Sequence, residues 1–208
     1  IAVPLEGAEE ALEQARSYRP LVLIDRALGQ IPAVLSDPHT GMGQAVQQLK
    51  EKGHTHIGYL SGPQETSTGR QRLQAFEAAT RGLPTHIHHG SYRHREGYKG
   101  AIALLQEGVT ALIAGDSMMT AGALEACHNA GKRIGEEIAL VGFDDFIYLR
   151  FQPSPISVVD QDVARMGETA TAKLIAAIND KRPPEGEVIE TRYIPRMSTA
   201  HQLHGATP

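Results

Sequence analysis

The sequence predicts an α/β protein built of parallel sheets with helices on both faces. Short apolar runs alternate with amphipathic stretches along nearly all of the 208 residues, with short connections between them. The run at 138–142 is almost wholly apolar, as in a strand buried on both faces. It breaks abruptly into two acids, Asp144 and Asp145. Acids at the carboxyl end of such a strand sit where open α/β sheets bind ligands.

Composition sets bounds on partners. Of the residues, 41% are apolar and 21% charged, with a net charge of −4 and a pI near 6.2. That balance argues against nucleic-acid binding by this stretch alone, since phosphate contacts need a basic face. A single cysteine, Cys127, excludes an intrachain disulfide framework and fits a reducing compartment. No apolar run approaches the roughly 20 residues that span a bilayer.

The elements follow in order. Residues 1–4 read as the end of a strand. Residues 6–17 form a helix, with Ala8, Ala11, Leu12 and Ala15 at helical spacing. Pro20 opens PLVLID, a short buried strand ending in Asp25, and 31–35 is a second extended run. Ser36 and Asp37 supply an N-cap for a helix over 40–52. Its Met42, Ala45, Val46 and Leu49 share a face, and Gly53 ends it. A strand at 57–60 is broken by Ser61-Gly62-Pro63, and a polar loop at 64–68 leads to a helix over 69–80. The stretch 85–89 is a polar, alternating strand, 93–107 a helix and 110–114 a strand. Asp116 or Ser117 caps a helix that runs to about Ala130 and ends at Gly131. After the 138–142 strand, Pro153 and Pro155 mark a turn before a short strand at 156–159. Asp162 caps the longest helix, 163–181, which Pro183-Pro184 stop. Residues 188–194 alternate like a final strand, and the last residues form a polar tail.

Four segments, in one order, carry a resemblance. They are GHTHIGYLSGP (53–63), GRQRLQAF (69–76), AGDSMMTAGALEACHNAGKRIGEEIALVGFDD (114–145) and PISVVDQDVARMGETA (155–170). Together they resemble the effector-binding domain of lac-repressor type (LacI/GalR) transcription regulators. The resemblance implies two doubly wound parallel-sheet lobes around a cleft, as in periplasmic binding proteins, with three chain crossings between them. It divides the chain into an amino-terminal lobe at 1–36 and 162–184, a carboxyl-terminal lobe at 37–161 and 185–200, and a tail at 201–208. In the family, two more βα units and a helix-turn-helix headpiece precede the strand that IAVP would finish. The chain is therefore expected to be amino-terminally truncated, with an incomplete first lobe and an exposed sheet edge.

The resemblance also implies a site. Asp144 matches the family acid that accepts hydrogen bonds from ligand hydroxyls, and a carboxylate can take two donors at once. It puts Arg72 in the cleft and leaves Arg70, two residues away on another side of the helix, outside. An arginine fork suits sugar oxygens, carboxylates or phosphates. Thr66 and Thr68 lie in the loop where some relatives contact the ligand. Purine-responding members carry arginine where this chain has Thr66, which argues against a purine. Tyr92 matches an aromatic that packs on the ligand ring. Gly115 stands where relatives have asparagine, which would remove a contact and enlarge the pocket. Asp116 either caps its helix or touches ligand, and Gln161 lies at a chain crossing. Asp145 reads as structural.

Other chemistry finds little support. His86, His88, His89 and His94 have no cysteine partners and no H-x-x-x-H spacing, so no metal site is expected. No P-loop and no nucleophile-elbow motif occurs. The expected function is ligand sensing, without cofactor or catalysis, in a cytoplasmic transcriptional repressor. A small effector, a sugar or related polyol, would sit between the lobes. Operator DNA would be bound only through a headpiece, and helix 117–130 would form a homodimer contact. A transporter's periplasmic-type sugar-binding protein is the alternative on the same fold.

Overall fold

A computed structural model describes residues 1–5 and 7–201. Glu6 and the segment 202–208, which holds most of the expected tail, lie outside the described residues. In chain order the elements are α1 (Glu9–Tyr18), β1 (Leu23–Ile24), β2 (Ala33–Asp37), α2 (His39–Glu51), β3 (Ile57–Ser61), α3 (Ser67–Ala79), β4 (Thr85–His89) and α4 (His94–Gln106). Then come β5 (Ala111–Ala114), α5 (Ser117–Asn129), β6 (Ala139–Phe143), α6 (Ile147–Arg150), β7 (Ser157–Asp160), α7 (Val163–Asp180), β8 (Glu187–Glu190) and β9 (Arg192–Ile194).

Two sheets result. The larger has the order β4-β3-β5-β6-β7-β9, parallel except for the antiparallel edge strand β9. The smaller is parallel, β1-β2-β8, and Ala2 adds a single bridge to Leu23. Each sheet is covered on both faces. Met42, Leu49, Tyr59, Phe76 and Phe143 fill one side of the large sheet, beneath α2 and α3. Leu60, Leu104, Leu112, Met119 and Leu140 fill the other, beneath α4 and α5. On the small sheet, Met166 and Ala170 of α7 pack on Val22, Val34 and Ile189. Leu12 of α1 joins the opposite cluster around Leu23 and Ile31.

The helix boundaries follow local chemistry. Asp116 Oδ1 accepts from the Met118 and Met119 amides at 2.8 and 3.2 Å, and Asp162 Oδ1 from Arg165 at 3.2 Å. Gly53 and Gly131 follow their helices at φ +87 and +66. The cap expected from Ser36 and Asp37 is different. Pro38 holds the cap position of α2, while Asp37, still in β2, accepts the His39 amide at 3.0 Å. Ser36 donates instead to Gln161 Oε1 at 2.8 Å. The short helix α6 has no counterpart in the sequence reading.

The last strand departs most from expectation. Its alternation reads as one element over 188–194, but the chain changes sheets at Thr191. Thr191 donates its amide and hydroxyl to the Asp37 carbonyl at 3.0 and 2.8 Å, and its hydroxyl accepts from Gly41 at 3.1 Å. Residues 187–190 therefore pair with β2 in the small sheet, whereas the resemblance places 185–200 in the other lobe.

Helices α4 and α5 approach backbone to backbone. A Cβ at Gly97 would lie 2.5 Å from the Met119 Cα, and one at Gly122 would run into the His94 carbonyl and the Tyr98 amide. Gly43, inside α2, has nothing within 4 Å. Gly122→Ala should therefore cost about 1–3 kcal/mol, whereas Gly43→Ala should gain roughly 0.5–1 kcal/mol from helix propensity. Thermal melts of the two variants shifting in the same direction would contradict this packing.

Candidate functional site

The carboxyl ends of β1, β5 and β6 and the amino-terminal turn of α3 meet at a cavity of about 280 Å³. Asp144, Arg72, Tyr92, Thr68, Asp116 and Gln161 all line it, and so do Asp25 and Arg26 from the end of β1. The structure thus brings together six of the seven residues singled out in the sequence. Thr66 is the exception. Its hydroxyl donates to the Pro63 carbonyl at 2.8 Å and accepts the Gly69 amide at 3.0 Å. It caps α3 and does not line the cavity.

Arg72 is the hub. Only 5% exposed, its guanidinium lies 3.9 Å from the Phe143 ring centroid, within cation–π range. Nη1 donates to the Gly115 carbonyl at 2.8 Å. Nη2 reaches Gln161 Oε1 at 3.3 Å and Asp25 Oδ1 at 3.4 Å. Arg70 faces solvent and donates to the carbonyls of Gln64 and Glu65.

Asp144 follows β6 at φ +63, a left-handed backbone that aspartate tolerates better than most residues. Its amide donates to the Val159 carbonyl at 2.9 Å. The side chain is 8% exposed, and Oδ1 has no hydrogen-bond partner among the described residues. Burial pushes its carboxyl up to about 6, against the opposing pull of Arg72 and the Gln161 side chain. Next to it, Asp145 is structural. Its oxygens bind Arg196 at 2.6 Å and Arg150 at 2.7 Å. Burial works against its charge but is outweighed by those two guanidinia, so its carboxyl stays below the usual range.

The walls are built from both sheets. Tyr92 donates its hydroxyl to Thr68 Oγ1 at 3.1 Å, and its ring lies 5.4 Å from the Arg26 guanidinium. Gly62 makes room for that ring, since a Cβ there would collide with it. Gly115 does not enlarge the pocket as expected. A Cβ there would sit 2.7 Å from the Leu60 carbonyl and 2.8 Å from the buried Tyr59 hydroxyl, so tyrosine occupies that space. Asp116 both lines the cavity and caps α5. Sequence reasoning missed Asp25 and Arg26, although Asp25 carries the same signal as Asp144, an acid at a strand's carboxyl end.

Two larger grooves lie elsewhere, of about 780 Å³ between the ends of α1 and α7 and about 740 Å³ along α5. Neither collects these acids. Among the described residues no three His, Cys, Asp or Glu side chains converge to hold a metal. Among the described residues no helix is long and apolar enough to cross a membrane.

The raised carboxyl of Asp144 has a consequence for stability. Folding lifts it from an ordinary 3.8 to about 6, so the folded chain holds the proton more tightly than the unfolded chain. Stability therefore falls as pH rises through that window, by roughly 3 kcal/mol in full. Asp144→Asn should accordingly raise the melting temperature at pH 7.5 and leave it almost unchanged at pH 4. An equal shift at both pH values would refute the desolvated placement.

Comparison with known proteins places the chain. A model of the periplasmic binding protein-like domain matches residues 46–199. The HTH-type transcriptional regulator MalR of Streptomyces coelicolor is 29% identical over 193 residues, covering 87% of this chain and 56% of MalR. The HTH-type transcriptional repressor PurR of Escherichia coli is 30% identical, covering 94% of this chain and 61% of PurR. The chain thus spans less than two thirds of the length of these curated relatives. Among solved structures, a probable LacI family transcriptional regulator from Corynebacterium glutamicum superposes with a TM-score of 0.87 at 39% identity, covering 94% of this chain and 75% of that one. The transcriptional regulator CelR in complex with cellobiose superposes with a TM-score of 0.77 at 30% identity, over 85% of this chain and 58% of that one. With most of its length inside that domain model and a 39%-identical regulator covering nearly all of it, the chain belongs to the periplasmic binding protein-like family, in the LacI group of transcription regulators whose effector-binding domain it matches.

Proposed function

We propose that this chain is the ligand-sensing part of a LacI-type transcriptional repressor and binds a small sugar in the cavity between its two sheets. The observation that carries the reading is Asp144. A desolvated carboxylate oxygen without a partner, beside Arg72 and Gln161, is an acceptor suited to ligand hydroxyls. Tyr92 offers a ring face for a sugar's C–H surface. About 280 Å³ suits a monosaccharide. The cellobiose bound to CelR supports a saccharide. A transporter's periplasmic-type binding protein shares the fold, and the regulators among the relatives favour the repressor.

In this reading the small sheet with α1 and α7 is one lobe and the large sheet the other, with the division near 36/37, 161/162 and 190/191. A ligand that contacts both lobes favours their closed arrangement and shifts the population toward it. Operator DNA would be contacted by a helix-turn-helix headpiece of the kind the HTH-type relatives are named for, and not by this acidic domain. Met118 of α5 and Phe146, Ile147, Tyr148 and Phe151 around α6 form an exposed apolar patch, which supports a homodimer through that face. No catalytic step is part of this reading.

A thermal-shift screen of sugars should yield a ligand that raises the melting temperature, because ligand binding stabilises only the folded state. Asp144→Asn should lose at least tenfold in affinity for that ligand while remaining folded. Arg72→Ala should lose binding and also stability, because it leaves Asp25 and Gln161 without their shared partner. Unchanged affinity by calorimetry in Asp144→Asn would reject the site. Light scattering tests the second contact: Ile147→Asp with Phe151→Glu should convert a dimer into a monomer, and an unmodified chain that is already monomeric rejects the dimer.

A further inference from the structure

We propose that the ligand carries an oxyanion, a carboxylate or phosphate group, and that Arg26 binds it. The inference rests on the sugar-binding reading above and narrows the class of ligand. Arg26 lines the cavity from the end of β1 in the small sheet, whereas the acids Asp144 and Asp116 follow strands of the large sheet. Its Nε is buried and has no hydrogen-bond partner among the described residues. The nearest anion, Asp25 Oδ2, is 3.6 Å away, too far for a good hydrogen bond. The other oxygen of the same carboxylate already faces Arg72 Nη2 at 3.4 Å.

The charges around the cavity do not supply Arg26 with a counter-ion of its own. Two guanidinia share the single carboxylate of Asp25. Asp116 directs Oδ1 to the first turn of α5. Asp144 lies beside Arg72 and Gln161 and is raised by burial, so its full charge is expensive there. The large sheet therefore contributes acceptors for hydroxyl groups, and the end of β1 contributes a cation held over the Tyr92 ring. A planar guanidinium with a free Nε–H and an adjacent Nη–H binds a carboxylate or phosphate edge-on through two parallel hydrogen bonds. A sugar acid or sugar phosphate matches both contributions at once. Its hydroxyls would meet Asp144 from one sheet and its oxyanion Arg26 from the other.

That placement has a mechanical corollary. The Ala27 amide, one residue beyond Arg26, donates to Ser67 Oγ at the start of α3 at 2.9 Å. An oxyanion on Arg26 would pull on a loop already tied to the other sheet, so the anion would strengthen closure as well as affinity.

Calorimetry on the full chain with matched probes tests the inference. The probes are glucose with glucuronate and glucose 6-phosphate, and galactose with galacturonate and galactose 6-phosphate. The expected result is that at least one anionic probe binds roughly ten- to a hundredfold more tightly than its neutral parent, the size of one charge-assisted hydrogen bond. In Arg26→Gln that ratio should fall to near one, while Asp144→Asn should weaken every probe that binds. The uronate and phosphate arms identify which oxyanion is recognised. A neutral sugar that binds as tightly as its anionic partners, or a ratio unchanged in Arg26→Gln, overturns the anion inference and leaves the sugar reading standing. Failure of all six probes to bind overturns both. An Arg26→Gln melting temperature close to that of the unmodified chain, and an Asp144→Asn melting temperature no lower than it, show that the ratios report on binding and not on unfolding.

Discussion

A guanidinium with almost no access to water organises this molecule. Arg72 sits on α3, yet its partners come from four other places: Asp25 after β1, Gly115 after β5, the Phe143 ring at the end of β6 and Gln161 after β7. A buried cation is tolerable only when its donors are satisfied and countercharge is near. The fold meets that demand by collecting strand ends around it. The collection is itself the cavity, so the feature that keeps a charge inside the protein also defines the site.

The chain passes between the sheets three times, and each passage is bonded to another. Thr191 fastens the β8–β9 passage to the Asp37 carbonyl. Asp160 binds Arg192 at 3.0 Å and accepts the Asp162 amide at 3.2 Å. Ser36 reaches Gln161, which in turn receives Arg72. The passages therefore form a narrow belt of backbone joined by hydrogen bonds and an ion pair. Asp162, at φ +54, absorbs the sharp turn where β7 gives way to α7. In the proposed sensor such a belt would suit a hinge between the sheets, with Gln161 belonging both to the belt and to the cavity wall.

Much of this was legible in the sequence, and the failures have physical causes. The buried strand 138–142, the amphipathic face of α2, and the caps at Asp116 and Asp162 rest on strong local signals, and the structure follows them. Thr66 and Thr68 are chemically alike and two residues apart. Only the geometry of the helix start decides that one caps while the other lines the cavity. The split at Thr191 leaves no mark, because both halves are extended and alternate alike. Which sheet each half joins depends on a threonine that bonds a residue 154 positions away. Asp25 and Arg26 escaped although PLVLID reads as a strand ending in Asp25, because β1 belongs to the other sheet and only the meeting of the two sheets brings its end to Arg72 and Asp144. Gly115 shows the converse error: deleting a side chain does not open space when a neighbour, here Tyr59, fills it.

Two buried atoms of cavity-lining residues lack partners among the described residues, Asp144 Oδ1 and Arg26 Nε, and they follow strands of different sheets. A buried polar group left unpaired costs roughly 1–3 kcal/mol. A ligand that merely fills the cavity gains area but changes neither penalty. A ligand that bonds both atoms recovers both, and it does so only when the sheets stand close enough for one small molecule to touch each. Its affinity for the closed arrangement then exceeds that for an open one by about the recovered amount. That difference, and not tightness of binding as such, is what moves a two-state equilibrium. In the proposed sensor, unsatisfied groups on the two sheets would thus be a physical basis for sensing, and would distinguish this cavity from a pocket that only stores its guest.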